Sequence, residues 1–131
     1  MTVFIDTSAI YALFDAGDDN NGRAARIWER LISEQGNLVS TNYVMTEIFT
    51  LLHRRLGLVA VRMFQEDVYP LISVQWIDEN THHAGVAALL AAGRKKLSLV
   101  DCVSFDVMRS LGIKTTFCFD RHFKEQGFDC L

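Results

Sequence analysis

Apolar positions along the chain follow two rhythms. The run Val3-Phe4-Ile5 reads as a short, fully buried strand. Leu38-Val39-Ser40 and residues 72–77 and 114–119 read as further strands, and residues 128–131 as an edge strand. Between these runs the apolar residues recur at helical spacing. Residues 7–16 predict a helix with Ile10, Leu13 and Phe14 on one side, and 23–35 a second, stopped by Gly36. Residues 43–56 predict a third helix ended by Gly57, and 58–69 a fourth ended before Pro70. Residues 79–95 form an Ala-rich fifth, 98–111 a sixth ended by Gly112, and 121–126 a short last one. Residues 17–22 are a polar turn rich in Asp and Asn. Strands alternating with helices predict an α/β layer fold around a mostly parallel sheet. With no internal repeat, low-complexity tract or linker, residues 1–131 are expected to form one domain.

Composition narrows this picture. The chain has 131 residues, half of them apolar and only one a proline, which suits a globular domain with one core. The net charge of −3 gives no support to nucleic-acid binding. Setting aside four acids as one metal-binding cluster leaves the remainder at +1, which permits an anionic substrate. Cys102, Cys118 and Cys130 are an odd number without C-x-x-C pairing, Cys102 within a helical pattern and Cys118 within a strand. Reduced thiols in a cytosolic protein are therefore expected rather than disulfides. Met1 runs directly into a strand-like segment without a basic leader, so no signal peptide is expected, and no apolar stretch approaches a membrane span. These features predict a cytoplasmic protein.

Four carboxylates occupy telling places. Ligands of open parallel sheets sit beyond the carboxyl ends of the strands. Asp6 follows the first strand there, and Asp120 follows the strand of residues 114–119. Each has a plainer reading, Asp6 as a helix N-cap and Asp120 as a turn or cap residue. On the third helix Glu47 falls at the border of the apolar arc beside Val44 and Leu51, and no basic residue stands three or four positions away. A cleft wall suits it better than a solvated face. On the sixth helix Asp101 has the apolar wheel neighbours Leu97, Phe105 and Met108, where an acid is costly unless paired or bound to metal. Asp106 lies beside Ser98, Cys102 and Ser110 with Arg109 as a ready partner, so it is expected to be solvated. Ser98 is also placed to cap this helix with Asp101 at the third position, which would fix where the carboxylate points.

Four carboxylates on one rim repel one another unless a cation joins them. Their hard oxygens suit Mg²⁺ or Mn²⁺, either of which serves hydrolysis at phosphorus. Other chemistries lack their signatures. The chain has no G-x-x-x-x-G-K-[ST] loop, G-x-G-x-x-G fingerprint or G-x-S-x-G elbow, and its histidines show no zinc spacing. His82 and His83 are adjacent, diverge on a helix and are expected at the surface.

The acids and their surroundings resemble the PIN-domain family, and in particular its VapC toxin branch. Phe4-Ile5-Asp6-Thr7-Ser8-Ala9 is similar to the family's first motif, a strand ending in Asp followed by Thr or Ser. Glu47, early in a helix after Ser40-Thr41-Asn42, matches the second acid. Ser98-Leu99-Val100-Asp101-Cys102 resembles the third motif and Phe119-Asp120-Arg121-His122-Phe123 the fourth, with Gly127-Phe128 following as often in the family. The resemblance spans nearly the whole chain. It implies a three-layer α/β/α sandwich, a Mg²⁺- or Mn²⁺-dependent endoribonuclease, a homodimer and, for the VapC branch, an antitoxin partner that covers the site. It assigns Asp6, Glu47, Asp101 and Asp120 as metal ligands and catalytic residues, oriented by Thr7 or Ser8, and Ser98 joins these through its cap. Arg94, Lys95 and Lys96 before the third motif, and Arg121 and His122 after Asp120, are candidate RNA contacts. Arg94 to Lys96 read equally well as charges favoured at a helix C-terminus.

Two alternatives belong to other classes. A receiver-type phospho-acceptor domain is also α/β with acids at strand ends, and residues 72–77 end near Asp78. It needs paired acids after the first strand, where this chain has Asp6-Thr7-Ser8. Ser8 likewise counts against the Asp-x-Asp of haloacid-dehalogenase-type phosphatases. The second alternative is a PIN-like fold kept as a non-catalytic binding module, against which all four acids argue.

Overall fold

The apolar runs become the strands of one parallel sheet. The structure, a computed structural model, describes residues 1–93 and 96–131. Its strands are β1 (Thr2–Ile5), β2 (Asn37–Thr41), β3 (Ile72–Gln75), β4 (Thr115–Phe117) and β5 (Asp129–Cys130), in the order β3-β2-β1-β4-β5. Every neighbouring pair is parallel, including the last edge pair. β1 lies at the centre, and Val3, Phe4 and Ile5 are completely buried, as expected of a strand covered on both faces. From β1 the chain moves outward to β2 and β3, then returns to place β4 on β1's other side. The order therefore reverses between β1 and β4, and a crevice opens at their carboxyl ends.

The helices are α1 (Thr7–Phe14), α2 (Asn21–Ser33), α3 (Asn42–Leu56), α4 (Leu58–Met63), α5 (Glu79–Ala92), α6 (Leu99–Leu111) and α7 (Arg121–Glu125). They complete the α/β/α sandwich. Around α1, α3 and the segment after α4, Phe14, Phe49 and Tyr69 pack their rings against the fully buried Phe64. Elsewhere Phe105 of α6, Phe123 of α7 and Phe128 pack together, and Phe123 also meets Phe4 of β1. α5 and α6 approach closely at Gly85, where a Cβ would stand 2.6 Å from a Val103 methyl.

Several elements differ from the pattern. The helix expected over residues 58–69 is α4 followed by a wide π turn (Phe64–Val68) and a 3-10 turn (Tyr69–Leu71). Ala60, Phe64 and Val68 are all buried at four-residue spacing. At about 100° per residue a regular helix would carry that row some 40° off its face at each step, and a wider turn keeps it on the core. β3 ends at Gln75 rather than at residue 77, because the Ile77 N–H leaves the ladder and donates to Asn42 Oδ1 at 2.7 Å. α5 ends at Ala92, where Gly93 takes the left-handed conformation (φ 60°), and residues 94 and 95, expected to extend it, lie outside the described residues. Cys118 lies just beyond β4 rather than within it, and all three cysteines are free thiols. His82 is half-buried, not at the open surface, and pairs with the Tyr43 hydroxyl of α3. Among the described residues no helix is long and apolar enough to cross a membrane.

Candidate active site

Three of the four acids are fixed by the first turns of helices. Asp6 stands one residue beyond β1, and its N–H still donates to the Phe117 carbonyl of β4 at 3.1 Å. It caps α1: its Oδ2 accepts from the Ser8 N–H at 3.2 Å and from the Ser8 hydroxyl at 2.6 Å. The same hydroxyl accepts from the Phe119 N–H at 2.9 Å. Ser8 thus ties Asp6 to the segment that delivers Asp120. Asp120 caps α7, its Oδ1 accepting from the His122 N–H at 2.9 Å. Asp101 sits at the third position of α6 in a reciprocal capping box. Its N–H donates to the Ser98 hydroxyl at 3.0 Å, and its Oδ2 accepts from the Ser98 N–H at 3.1 Å. The plainer cap readings and the site reading hold together, because a cap fixes the direction of a carboxylate.

These caps bring the acids to the β1–β4 crevice. Ligand atoms of Asp101, Asp120 and His122 all lie within 4.8 Å of one another. Asp6 is close enough to feel the charges of Asp101 and Asp120. Burial pushes Asp6 up from 3.8 to about 7, and those two like charges add to the effect against the lowering hydrogen bonds from Ser8. Asp101 is raised as well, chiefly by burial and further by Asp120, while the Ser98 bonds and His122 pull it down. Two buried acids with raised proton affinity are what a cation-binding oxygen cluster shows when no cation offsets it.

The other candidates fall at different distances from this group. Glu47 is half-buried on α3, which packs against both α1 and α6, but its carboxylate does not join the close group of Asp101, Asp120 and His122. Thr7 is buried, and its Oγ1 has no hydrogen-bond partner among the described residues. Lys96 and Arg121 are exposed. Arg94 and Lys95 lie outside the described residues. His122, expected beside the substrate, is almost buried, its Nε2 3.7 Å from Asp120 Oδ1 and its Nδ1 3.8 Å from Glu125 Oε2. The spacing of Asp120 and His122 at a helix start carries that signal, since an N-cap meets the backbone two residues on. Asp106 is half-buried rather than solvated. Arg109 turns from it to Gln126 Oε1 at 2.9 Å and to the rings of Phe105 and Phe128. These tertiary contacts outweigh a local pair worth a few tenths of a kcal/mol.

A cleft of about 480 Å³ opens beside Asp120, with Asn20, Arg23, Arg121 and Lys124 on its walls. Asn20 and Arg23 carry no sequence signal, because they adjoin a turn that resembles no motif. The receiver alternative fails on position. Asp78 follows the edge strand β3, is exposed, and serves as the cap of α5 by accepting from the Thr81 N–H at 2.8 Å.

Known proteins match this arrangement. The PIN domain family model covers residues 3–129. The 23S rRNA-specific endonuclease VapC20 of Mycobacterium tuberculosis (strain ATCC 25618 / H37Rv) is 33% identical over 127 residues, spanning 96% of this chain and 95% of the relative. The crystal structure of Mycobacterium tuberculosis VapC20, a sarcin-ricin loop cleaving toxin, superposes with a TM-score of 0.85 at 32% identity over 96% of this chain and 95% of that one. FitAcB from Neisseria gonorrhoeae shares the fold, with a TM-score of 0.69 at 16% identity over 100% of this chain and 96% of that one. The chain belongs to the PIN-domain family, as a homologue of its VapC-type toxins.

Proposed function

We propose that the protein is a Mg²⁺- or Mn²⁺-dependent endoribonuclease and the toxin of a VapBC-type pair. The observation that carries this reading is the convergence of Asp6, Asp101 and Asp120 at the point where the strand order reverses. The donor set fits a hard divalent cation: carboxylate oxygens dominate, and the charges of Asp6 and Asp101 are costly without one. Asp6, Asp101 and Asp120 would hold the ion, with Glu47 completing the set from α3. A bound ion supplies positive charge for the scissile phosphate and acidifies water for the attack. Ser8 and Ser98 keep the Asp6 and Asp101 carboxylates aimed, and the His122 N–H fixes Asp120. Thr7, buried and next to Asp6 in the chain, would help to orient the cluster.

The likeness to VapC20 makes the sarcin–ricin loop of 23S rRNA the first substrate to try. The reading also includes an antitoxin partner, a homodimer and a cytoplasmic setting. Exposed Leu58, Val59 and Met63 on α4 supply apolar surface that association would cover. The test is cleavage of ribosomal RNA by purified protein with Mg²⁺, with Mn²⁺ and with EDTA. Cleavage is expected with either ion and none with chelator. Asp101→Asn should lose it by orders of magnitude, while Asp106→Asn on the same helix retains it. Full activity in excess EDTA, or equal loss in both variants, would refute the reading.

A further inference from the structure

The net charge of the chain is negative, yet three cationic side chains line a single cleft. Arg23, Arg121 and Lys124 all face the cleft that opens at Asp120. Asp120 and Asp129 share the wall, but Asp120 is turned to the acid group and bonded to the His122 N–H. Arg23 is placed rather than loose. The Asn21 side chain donates to the Ala12 carbonyl at 2.9 Å and so ties the start of α2 to α1, and the Arg23 guanidinium lies 5.7 Å from the centre of the Phe119 ring. Phe119 in turn is held by Ser8, which also holds Asp6. The cation and the acid cluster are therefore fixed by one short chain of contacts. Ligand clefts span about 300–1,000 Å³, so about 480 Å³ accommodates a nucleotide unit but not a duplex.

We propose that this cleft binds the RNA phosphodiester next to the one that is cut, with Arg23, Arg121 and Lys124 as its cationic contacts. The inference rests on the ribonuclease reading and adds to it a track for the strand leaving the acid cluster on the Asp120 side. A planar guanidinium can take two phosphate oxygens at once, and Lys124 adds a point charge. Asn20 offers amide donors on the same wall. Bound there, the neighbouring phosphate holds the scissile one against Asp6, Asp101 and Asp120, so the cleft serves substrate positioning.

The test is binding of a short single-stranded oligoribonucleotide in EDTA, followed by fluorescence anisotropy across a salt series. Each phosphate left without its cations lowers the slope of log K against log salt by about 0.7 on a single strand, so replacing all three cations around this one phosphodiester by Gln should flatten it by about 0.7. A charge-matched control, Arg30→Gln with Arg54→Gln and Arg62→Gln on α2, α3 and α4, should leave the slope near wild type. Arg23→Lys with Arg121→Lys should also retain it. In Mg²⁺, Arg23→Gln should raise KM for RNA about tenfold with kcat changed less. An unchanged slope in the cleft triple, or an equal drop in the control triple, overturns the proposal. Failure of the ribonuclease reading looks different: wild type would then not cut RNA in Mg²⁺, whatever the slopes.

Discussion

Replacing Asp6 by Asn removes one charge from the site and leaves its shape. The asparagine oxygen can still accept from the Ser8 N–H, so the cap of α1 survives. In the folded, metal-free chain Asp6 is pushed up to about 7 from the ordinary 3.8. Between those values the folded protein keeps a proton that the unfolded chain has released. Stability contributed by protonated Asp6 is therefore whole below about pH 4 and is lost as pH rises through 7. At about 1.36 kcal/mol per pH unit, the full loss is about 4 kcal/mol. That is a large part of the roughly 5–15 kcal/mol that typically holds a domain together. The asparagine carries no such cost. Urea unfolding in EDTA should show the advantage of Asp6→Asn over wild type widening by about 3 kcal/mol between about pH 4.5 and pH 8. Mg²⁺ should narrow the gap at pH 8 by stabilising wild type and not the variant. A gap that stays constant with pH, or widens in favour of wild type, would refute the claim that Asp6 is an uncompensated member of an acid cluster.

Ser8→Ala should cost about 1–3 kcal/mol, since it leaves the Phe119 N–H without its acceptor and Asp6 without its shortest bond. RNA cleavage should fall through kcat with little change in KM, and Ser8→Thr should restore part of it; full activity in Ser8→Ala would remove the positioning role. Gly85→Ala gains about 1 kcal/mol of helix propensity but puts a methyl 2.6 Å from Val103, and overpacking costs about 1–3 kcal/mol. The variant should melt below wild type, and in a Val103→Ala background the same change should stabilise; stabilisation in the wild-type background would show that α5 and α6 yield easily.

Much of this molecule is legible in its sequence. The inner strands are marked by apolar residues, and Asp6, Asp101 and Asp120 by a strand end or a helix start, so a parallel sheet with these acids on its carboxyl rim follows from local pattern. The Ser98–Asp101 box is readable because both partners lie within one turn. What stays hidden depends on contacts between distant segments. The π turn after α4 answers to a core that needs Ala60, Phe64 and Val68 on one side. The turn of Arg109 toward Gln126 requires α7 to be in place, and His82 finds Tyr43 only when α5 meets α3. The cationic cleft joins the start of α2 to α7, two parts of the chain that no periodicity links.

The Ser8 hydroxyl joins residues 111 positions apart, and that span has a consequence for how the activity is born. Asp6 leaves the ribosome early and Asp120 late, and neither β1 nor α1 can gather the acids alone. Because β1 is the centre of the sheet, it must wait for β4 before its second edge is covered. Closing so long a loop is entropically costly until the final pairing rewards it, which makes this a late step of folding. A chain still being synthesised, or one truncated before β4, holds Asp6 and Asp101 without the partner strand that assembles the site. For an enzyme whose proposed substrate is the RNA of the machinery making it, strand order then delays assembly of the acid cluster until β4 has been made.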